Sequence, residues 1–362
     1  MPKRGERVYL RKDGLWEARY IKEIDAFGKK KYGSVYARTC REAKEKRQEK
    51  EDHIRLFQKP IGSRNITVTQ LAEEWLYLNQ NRIKLFTYQR YEGFVKNHLS
   101  LLSKQPVLYL TSAAIHEFSM DRLRYGLQPQ SVNSILVFIH SCLKHRYKQY
   151  HLPMPEILYL SAPGKEMRVL TCEEQKQLMA YLNDSMDVYK FGVVLTLYTG
   201  LRIGEICSLK WEDISKESIH IRRTVQRLRK SDGSGTELYV STPKTNTSIR
   251  IIPIPSFLSE MIETYRNQAA SEFVLGNETV PMTEPRVMQN HFKKYTDELN
   301  IKGATFHTLR HTFATRCVEL GMDSKTLSEL LGHSTVNITL QKYVHSSFDL
   351  KQRGMEMLKE TL

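Results

Sequence analysis

The chain has 362 residues, and at about 150 residues per domain this length predicts two or three domains. Its 55 Lys and Arg residues outnumber its 40 Asp and Glu residues. The resulting net charge of +15 favours a polyanionic partner, either nucleic acid or an acidic membrane surface. Hydrophobic residues make up 40% of the chain, which is enough to build packed cores and excludes a wholly disordered protein.

Membrane, secreted and disulfide-bonded classes find no support in the sequence. Apolar stretches such as residues 191–197 are far shorter than the ~20 residues of a membrane span. The first residues contain no apolar segment of the kind that a signal peptide needs. The cysteines are far apart and never arranged as CxxC, which argues against a zinc ribbon or a disulfide framework. We therefore expect a cytoplasmic protein with no membrane association.

The first 60 residues hold 18 Lys and Arg against 10 Asp and Glu, so about half of the net charge lies in one sixth of the chain. Alternating apolar and polar residues predict three short strands, over residues 8–12, 16–21 and 32–36. Residues 39–57 are highly charged and predict a helix. This helix can cover the apolar face of the small sheet.

One face of the second strand carries Trp16, Ala18 and Tyr20, and the predicted helix would bury them. The opposite face would present Arg19 with lysines nearby. A ribbon with such a face fits a DNA major groove. A solvated basic face without a ligand is the alternative interpretation. The candidate DNA-binding residues of this segment are Arg11, Arg19 and Lys30.

Residues 66–160 predict helices throughout. Their beginnings are expected near Thr69, Thr87, Ser112 and Gln130, with Thr87 as a side-chain cap. Thr87 and Lys96 are further candidate DNA-binding residues. Breaks at residues 59–63 and 153–168, rich in proline and glycine, predict linkers. The predicted domains are therefore residues 1–60, 64–160 and 168–362.

The last domain holds a cationic pattern at a helix start. It begins with a capping box at Thr171 and Glu174 and later places a turn at Gly200 before Arg202. An arginine that opens a helix can clamp a phosphate, and Glu205 is near enough to orient it. A surface ion pair is the simpler interpretation. No P-loop, GxGxxG, HExxH or GxSxG motif occurs, so nucleotide hydrolysis, dinucleotide redox chemistry and the common hydrolase reactions lack support.

A second pattern lies on a helix predicted to start near residue 306. Its buried stripe would consist of Phe306, Leu309, Phe313 and Cys317. His307 and Arg310 lie about 60° apart on the flank of that stripe, so both point the same way from the edge of a core. His307 and His311 are alternatively zinc ligands, although no third ligand is obvious. A plain capping or core histidine is the other interpretation.

Two further residues follow near the end of the domain. A short amphipathic helix ends at Gly332, and His333 comes directly after it. Ten residues later, Tyr343 is expected to share a helix face with Val336 and Leu340. The chain has 19 tyrosines, and the ordinary role of such a residue is a packed aromatic.

Taken together, these residues resemble the tyrosine recombinase (phage integrase) family. The resemblance covers roughly residues 170–350 at the catalytic level. Residues 66–160 resemble that family's core-binding domain, and residues 1–60 resemble its arm-binding domain. The catalytic resemblance is carried, in the family's order and spacing, by TGLRIGEICSLKWEDI (199–214), TPKTNTSIRIIPI (242–254), HTLRHTFAT (307–315) and LLGHSTVNITLQKYVH (330–345). The arm-domain resemblance is carried by LRKDGLWEARY (10–20) and DAFGKK (25–30).

The resemblance implies a multidomain, mainly α-helical fold with small β-sheets (α+β): a three-stranded sheet with a helix, a helical core-binding domain and a mixed α/β catalytic domain. It implies a site-specific recombinase that integrates or excises a mobile element without metal, ATP or another cofactor. Tyr343 would be the nucleophile, forming a 3′-phosphotyrosyl bond. The other implied catalytic residues are Arg202, Lys244, His307, Arg310 and His333, with His307 also implied as a base toward the tyrosine. Glu205 would position the arginine and histidine residues.

The implied partners are double-stranded DNA, with core and arm sites, and further copies of the chain. A homotetramer would exchange strands through a Holliday junction. Accessory DNA-bending or excision proteins are also implied, and the DNA-bound protein would be associated with the nucleoid. The apolar residues of segment 346–362 predict a tail that docks on a neighbouring subunit or folds back on its own domain.

Three other functions compete with this interpretation. A type IB topoisomerase shares the chemistry but fits the motif spacing and three-domain layout less well. A non-catalytic DNA-binding protein such as a repressor predicts missing catalytic residues, whereas every expected position is filled. A membrane-surface protein would need a basic amphipathic helix with an aromatic face, which the sequence lacks.

Overall fold

A computed structural model describes residues 8–24, 30–57, 66–102, 106–150, 154–162, 167–230, 233–243 and 246–343. The chain divides into two compact units, Met1–Pro163 and Gly164–Leu362. The predicted linker at 59–63, the predicted tail and Lys244 lie outside the described residues. In the described part of the chain, no helix is long and apolar enough to cross a membrane.

The first unit opens with a three-stranded antiparallel sheet and one helix. The elements are β1 (Val8–Leu10), β2 (Trp16–Ile24), β3 (Lys30–Ala37) and α1 (Cys40–Phe57), with β2 in the centre of the sheet. Ala18 is fully buried and pairs with Val8 on one side and Val35 on the other. With Ala37 and Ala43 these small side chains form the core, so α1 packs closely on the sheet, as predicted.

Residues 66–150 of the first unit are mainly helical where the structure describes them. Their α-helices are α2 (Val68–Asn79), α3 (Leu85–His98), α4 (Ser112–Arg124) and α5 (Pro129–Tyr150). They pack around Phe138, whose ring contacts Trp75 edge-on at 5.7 Å and stacks on Tyr91 at 4.5 Å between centroids. The prediction that Thr87 caps a helix is wrong. Helix α3 starts two residues earlier, because the extended backbone of Lys84 precedes it, and this puts Thr87 inside the first turn.

The second unit is mixed, with helices around two small antiparallel strand pairs. Its helices are α6 (Cys172–Asn183), α7 (Val188–Thr199), α8 (Ile203–Cys207), α9 (Ser256–Arg266), α10 (Pro285–Glu298), α11 (Phe306–Glu319), α12 (Ser324–Leu331) and α13 (Val336–Tyr343). Its strands are β4 (Ser218–Ile221), β5 (Thr224–Arg229), β6 (Thr236–Ser241) and β7 (Arg250–Pro253). Strand β4 pairs with β7, and β5 pairs with β6.

Helix α7 is the centre of the second unit, because it is apolar on every side and almost entirely buried. A large hydrophobic core surrounds it, and a smaller cluster that includes Tyr343 lies beside α12. The predicted stripe on α11 divides between the two: Phe306 and Leu309 join the large core, whereas Phe313 and Cys317 join the smaller one. Helix α11 therefore bridges the core and the cluster that holds the tyrosine.

The predicted capping box at the start of this unit is confirmed, since Thr171 and Glu174 exchange side-chain and backbone hydrogen bonds. The predicted face of α13, with Val336, Leu340 and Tyr343, is buried only in part. Leu340 is exposed, and the buried positions are Thr339 and Tyr343, four residues apart. Thr339 takes the inward position because its hydroxyl is a hydrogen-bond partner for a histidine of the preceding turn. The division of the chain into three domains, residues 1–60, 64–160 and 168–362, stays a prediction.

Candidate active site

A left-handed turn brings Arg202 to the start of a helix. Helix α7 ends at Gly200, whose φ is +65°, and a Cβ there would lie 2.5 Å from the ring of Phe313. Glycine is therefore required both by backbone conformation and by space. Arg202 follows in an extended conformation, and its backbone N–H donates to Glu205 Oε2 at 2.9 Å. The turn thus fixes both the direction and the partner of this arginine.

Glu205 is buried and lies between two guanidinium groups. Arg250 donates to both of its carboxylate oxygens, at 3.0 and 2.8 Å, and Arg202 donates to Oε1 at 2.8 Å. Burial opposes ionisation of Glu205, but the hydrogen bonds and charge of Arg250 and the charge of Arg202 hold its pKa at about 2. Glu205 is therefore an anion at neutral pH, and it is shared between a bidentate pair with Arg250 and a single hydrogen bond from Arg202.

Arg310 projects from α11 and is only 2% exposed. It donates to the carbonyl oxygens of Gly200 and Leu331, both at 2.6 Å, and these carbonyls belong to the turns that end α7 and α12. Two of its five N–H donors are used in this way, which leaves three for a ligand. Burial and the charge of Arg202 lower its pKa to about 9, so the group stays charged at pH 7.

His333 is held by the turn that ends α12. Gly332 has a left-handed φ of +61°, and its carbonyl accepts from Arg202 at 3.0 Å. His333 Nδ1 lies 2.8 Å from the hydroxyl of Thr339. Burial and the charges of Arg310 and Arg202 lower its pKa to about 3. A neutral imidazole that accepts at Nδ1 carries its proton on Nε2, from which it can donate to an anion.

His307 is an exposed residue in the otherwise buried first turn of α11, at the edge of this group. Its ring is 4.4 Å from that of His311, centroid to centroid. Partial desolvation, the neighbouring imidazole of His311 and the charge of Arg310 lower its pKa to about 4. In the described part of the chain, no group of three or more His, Cys, Asp or Glu residues is placed to hold a metal ion.

Tyr343 is the last described residue, and its side chain is 6% exposed. Its hydroxyl oxygen lies 2.8 Å from Nδ1 of His311. Burial raises the pKa of Tyr343, and the charges of Arg310 and Arg202 oppose that effect only in part. The phenol is therefore protonated at neutral pH and lies within the electrostatic reach of both arginines.

A central cavity of about 330 Å³ opens beside Arg202, Glu205 and His333. It is lined by Arg202, Glu205, Thr224, Gln226, Pro243, Ser248, Gly332, His333, Ser334 and Ile338. Pro243 is the residue before Lys244, which itself lies outside the described residues. The cavity wall is therefore formed by the arginine turn, the histidine turn and the chain that leads to the lysine.

The structure brings together most of the predicted catalytic residues and adds two. Arg202, Glu205, Arg310, His333 and Tyr343 are joined by direct hydrogen bonds or mutual electrostatic effects. The sequence interpretation missed the roles of two residues, Arg250 and His311. Arg250 lies in the quoted segment 242–254, but a strand arginine carries no sequence signal of burial. His311 was weighed only as a zinc ligand, although its position one residue after Arg310 places it toward α13.

The candidate DNA-binding residues lie in the first unit. On the sheet face opposite α1, Arg11 and Arg19 both pair with Glu17, at 3.6 and 2.9 Å. Arg19 also lies over the ring of Tyr9, and Lys30 is exposed at the start of β3. On α3, Lys96 pairs with Glu92 at 3.1 Å, and Thr87 occupies the first turn. The DNA-binding role of these five residues stays a prediction.

The arrangement is suited to a phosphate. Arg202, Arg250 and Arg310 carry three positive charges, and Glu205 offsets one of them. The remaining two guanidinium groups are planar, permanently charged donors that match the geometry of non-bridging phosphate oxygens. The Tyr343 hydroxyl is buried and lies within hydrogen-bonding distance of His311.

Comparisons with known proteins agree with this chemistry. Residues 168–349 match the phage integrase family. The chain is 27% identical over 369 residues to a protein named "Tyrosine recombinase XerC-like" from Caldanaerobacter subterraneus subsp. tengcongensis, covering 93% of both chains. It is 24% identical over 332 residues to the ICEBs1 integrase of Bacillus subtilis, covering 87% of this chain and 86% of that one.

Two solved structures share the fold. The Tn1549 transposon integrase in complex with circular intermediate DNA matches with a TM-score of 0.69 at 22% identity, covering 81% of this chain and 99% of that one. A lambda integrase tetramer bound to a Holliday junction matches with a TM-score of 0.60 at 19% identity, covering 96% and 98%. These matches confirm the predicted fold class. The chain therefore belongs to the phage integrase family and is a tyrosine-type site-specific recombinase.

Proposed function

We propose that this recombinase cuts and rejoins duplex DNA with Tyr343 as the nucleophile and integrates or excises a mobile element. One observation carries the proposal: three guanidinium groups share the single carboxylate of Glu205 or have none, and two of them, Arg202 and Arg310, lie within electrostatic range of the buried Tyr343 hydroxyl. Attack of that hydroxyl on a phosphodiester forms a 3′-phosphotyrosyl bond and releases a 5′-hydroxyl. A 5′-hydroxyl from a second duplex reverses the step, so no ATP is consumed.

The positive residues stabilise the transition state. Negative charge accumulates on the non-bridging oxygens, and Arg202 and Arg310 present N–H donors to them from positions fixed by backbone carbonyls. His333 and His307 add neutral hydrogen-bond donors at the same edge. Glu205 holds Arg202 and Arg250 in place. Because these donors are already oriented, little reorganisation is needed when charge develops.

Lys244 completes the proposed site as the acid that protonates the departing 5′-oxygen. It follows Pro243, which lines the central cavity. A lysine with the ordinary pKa of ~10.4 is a weak acid at pH 7, so the proposal requires that the positive surroundings lower its pKa. No metal ion is used in this scheme, because the arginines supply the charge that a metal would otherwise provide.

The proposed cleavage and rejoining of DNA requires several copies of the chain. We propose a homotetramer that holds two duplexes and passes through a Holliday junction, with accessory DNA-bending or excision proteins as further partners. The similarity to the ICEBs1 integrase, the Tn1549 transposon integrase and the lambda integrase tetramer supports a role in the movement of a genetic element. The proposed domains are an arm-binding domain (residues 1–60), a core-binding domain (64–160) and a catalytic domain (168–362).

We expect Tyr343→Phe to bind DNA and to form no covalent adduct, because phenylalanine lacks the attacking oxygen. The probe is a duplex selected by binding from a random-sequence pool and given a single nick, which is moved one position at a time across the site. Where the nick lies close to the cleaved bond, the short 5′-hydroxyl fragment is lost and the adduct accumulates. Denaturing electrophoresis in EDTA then shows a protein–DNA band with the parent chain.

Tyr239→Phe is the matched control, because it removes an exposed hydroxyl from β6 of the same unit. It should form the adduct at the parent rate. An adduct that persists in Tyr343→Phe would show that another residue is the nucleophile. Binding by the parent chain without any adduct, at every nick position, would instead favour the repressor-like alternative.

The exposed face of the N-terminal sheet is proposed as a second DNA contact. Arg19 is expected to neutralise a phosphate, so Arg19→Gln should weaken DNA binding and reduce the slope of log K against log salt by about 1. Fluorescence anisotropy across a salt series measures this slope. Arg41→Gln is the control, because Arg41 is an exposed arginine on α1, which covers the opposite face. Equal slopes for the two variants would contradict the proposed face.

A further inference from the structure

We propose that His311 is the base that accepts the proton of Tyr343 as the tyrosine attacks the phosphate. This inference rests on the function proposed above and adds a catalytic residue to it. Among the described residues, the imidazole that is hydrogen-bonded to the Tyr343 hydroxyl is that of His311, with Nδ1 and the oxygen 2.8 Å apart. This is the separation at which a proton passes directly from donor to base.

The position of His311 follows from two packed helices. His311 extends from α11 one residue after Arg310, and Tyr343 ends α13, which packs against α11. The two rings lie 5.7 Å apart, centroid to centroid, with an interplanar angle of 50°. His307 lies behind this pair, with its ring edge-on to that of His311. The geometry therefore makes His311 the inner histidine and His307 the outer one.

A base is needed because the phenol does not ionise by itself at neutral pH. Burial raises the pKa of Tyr343 above its ordinary value of 10. His311 is half-buried, and burial together with the charges of Lys342 and Arg310 lowers its pKa to about 4. It is therefore neutral at pH 7, and the Nδ1 lone pair is available when the proton sits on Nε2.

The surroundings of His311 make its basicity depend on the substrate. The titratable and charged groups that face it are His307 and Arg310 on its own helix and Lys342 and Tyr343 on α13. The cations disfavour an imidazolium in the free chain, which keeps Tyr343 protonated. A bound phosphodiester adds a negative charge beside Arg310 and offsets this repulsion. His311 thus becomes a stronger base when DNA is in the site.

The proton and bond changes of the step balance. The O–H bond of Tyr343 breaks, its proton passes to Nδ1 of His311, and the phenolic oxygen forms a bond to phosphorus. The bond from phosphorus to the 5′-oxygen breaks, and that oxygen takes a proton from the proposed acid Lys244. In the reverse step, the His311 imidazolium returns its proton to the departing phenolate.

His311→Asn is the informative variant, because Asn Oδ1 occupies the place of Nδ1 and accepts the hydrogen bond but cannot hold a proton at neutral pH. We expect adduct formation on the nicked duplex to slow by on the order of 10²–10⁴, with DNA affinity unchanged. Replacing Tyr343 by 2,3,5-trifluorotyrosine lowers the phenol pKa. In the His311→Asn background this replacement should restore most of the rate, since the phenol then ionises without a base.

The matched comparison is His307→Asn, the same change one helical turn away. Its loss of rate should not be restored by trifluorotyrosine, because a hydrogen bond to the phosphate is missing rather than a base. His311→Ala serves as a second variant, and it should be rescued by the fluorinated tyrosine to a similar extent. Circular dichroism and DNA affinity establish that each variant is folded.

The outcomes separate the two proposals. A parent chain that forms no adduct at any nick position would overturn the proposed function itself. If the parent chain forms the adduct and His311→Asn forms it at the same rate, the inference is overturned and the proposed function still stands. A slow His311→Asn variant that trifluorotyrosine does not rescue would also overturn it, because His311 would then act by packing Tyr343 rather than by taking its proton.

Discussion

Arg310→Lys is expected to slow covalent adduct formation by on the order of 10²–10³. A lysine keeps the positive charge but loses the planar fork, and Arg310 uses two arms of that fork to reach the carbonyls of Gly200 and Leu331. An ammonium group carries its three donors on one nitrogen, so it cannot reach both carbonyls and a phosphate oxygen from the positions that the guanidinium nitrogens occupy. Single-turnover rates on the nicked duplex, with affinity measured separately, give the effect on the chemical step.

Arg316→Lys is the matched control on the same helix. Arg316 also donates to a backbone carbonyl, that of Leu170 at 2.8 Å, but on the side away from the tyrosine. We expect this variant to react at the parent rate. If both substitutions slow the reaction equally, the loss reflects damage to α11 rather than the removal of a phosphate donor, and Arg310 has no special role.

Glu205→Gln is expected to lower the free energy of unfolding of the second unit by about 3–5 kcal/mol. The carboxylate is the shared partner of Arg250 and Arg202, and the side chain of Arg250 is only 5% exposed. A neutral amide leaves the Arg250 charge buried without an anion and must also donate toward guanidinium N–H groups. Removing one partner of a buried pair is costly for this reason.

The same interaction predicts a dependence on pH. The pKa of Glu205 is about 2 in the folded chain and 4.5 ordinarily, so the folded state favours the anion. The contribution of ionised Glu205 to the free energy of unfolding is fully present above pH 4.5 and is lost as the pH falls from 4.5 toward 2. The difference between these two pKa values corresponds to about 3 kcal/mol. The difference in free energy of unfolding between the parent chain and Glu205→Gln should therefore decrease as the pH falls from 4.5 toward 2.

Tryptophan fluorescence can report on the second unit alone. The chain has three tryptophans, and Trp211 is the one in that unit, so changing Trp16 and Trp75 to Phe leaves a single reporter. Urea titrations of this background with and without Glu205→Gln give the difference. Glu272→Gln is the control, because Glu272 forms an exposed pair with Lys210 and should cost at most about 1 kcal/mol. Equal losses for both variants would refute the special role of Glu205.

The secondary structure was largely predictable because it depends on local patterns. Alternation in residues 16–21 placed Trp16 and Ala18 on the covered face of β2, and the capping box at Thr171 marked the start of α6. The predictions that did not hold in full concern the residue that precedes α3 and the residues of α13 that are buried. Lys84 precedes α3 in an extended conformation, which displaced the cap predicted at Thr87. On α13, a hydrogen bond to His333 drew Thr339 inward and left Leu340 exposed.

The site was predictable in its residue types and less so in its contacts. Arg202, Arg310 and Tyr343 stand in motifs that resemble those of the tyrosine recombinase family, and the structure places both arginines within electrostatic range of Tyr343. Arg250 could not be identified in the same way, because its partner Glu205 is 45 residues away and no local pattern marks a buried strand arginine. His311 was ambiguous because two histidines on one helix face suit several roles equally well.

The sequence by itself determined most helices and strands and the basic character of the N-terminal sheet, because periodicity and capping act over a few residues. The set of candidate catalytic residues came from the resemblance of its motifs to the tyrosine recombinase family. Only the tertiary structure decided that Arg250 neutralises Glu205 and that His311, rather than His307, contacts the Tyr343 hydroxyl. Both contacts join segments 32 to 45 residues apart, and such pairings are set by how whole helices pack.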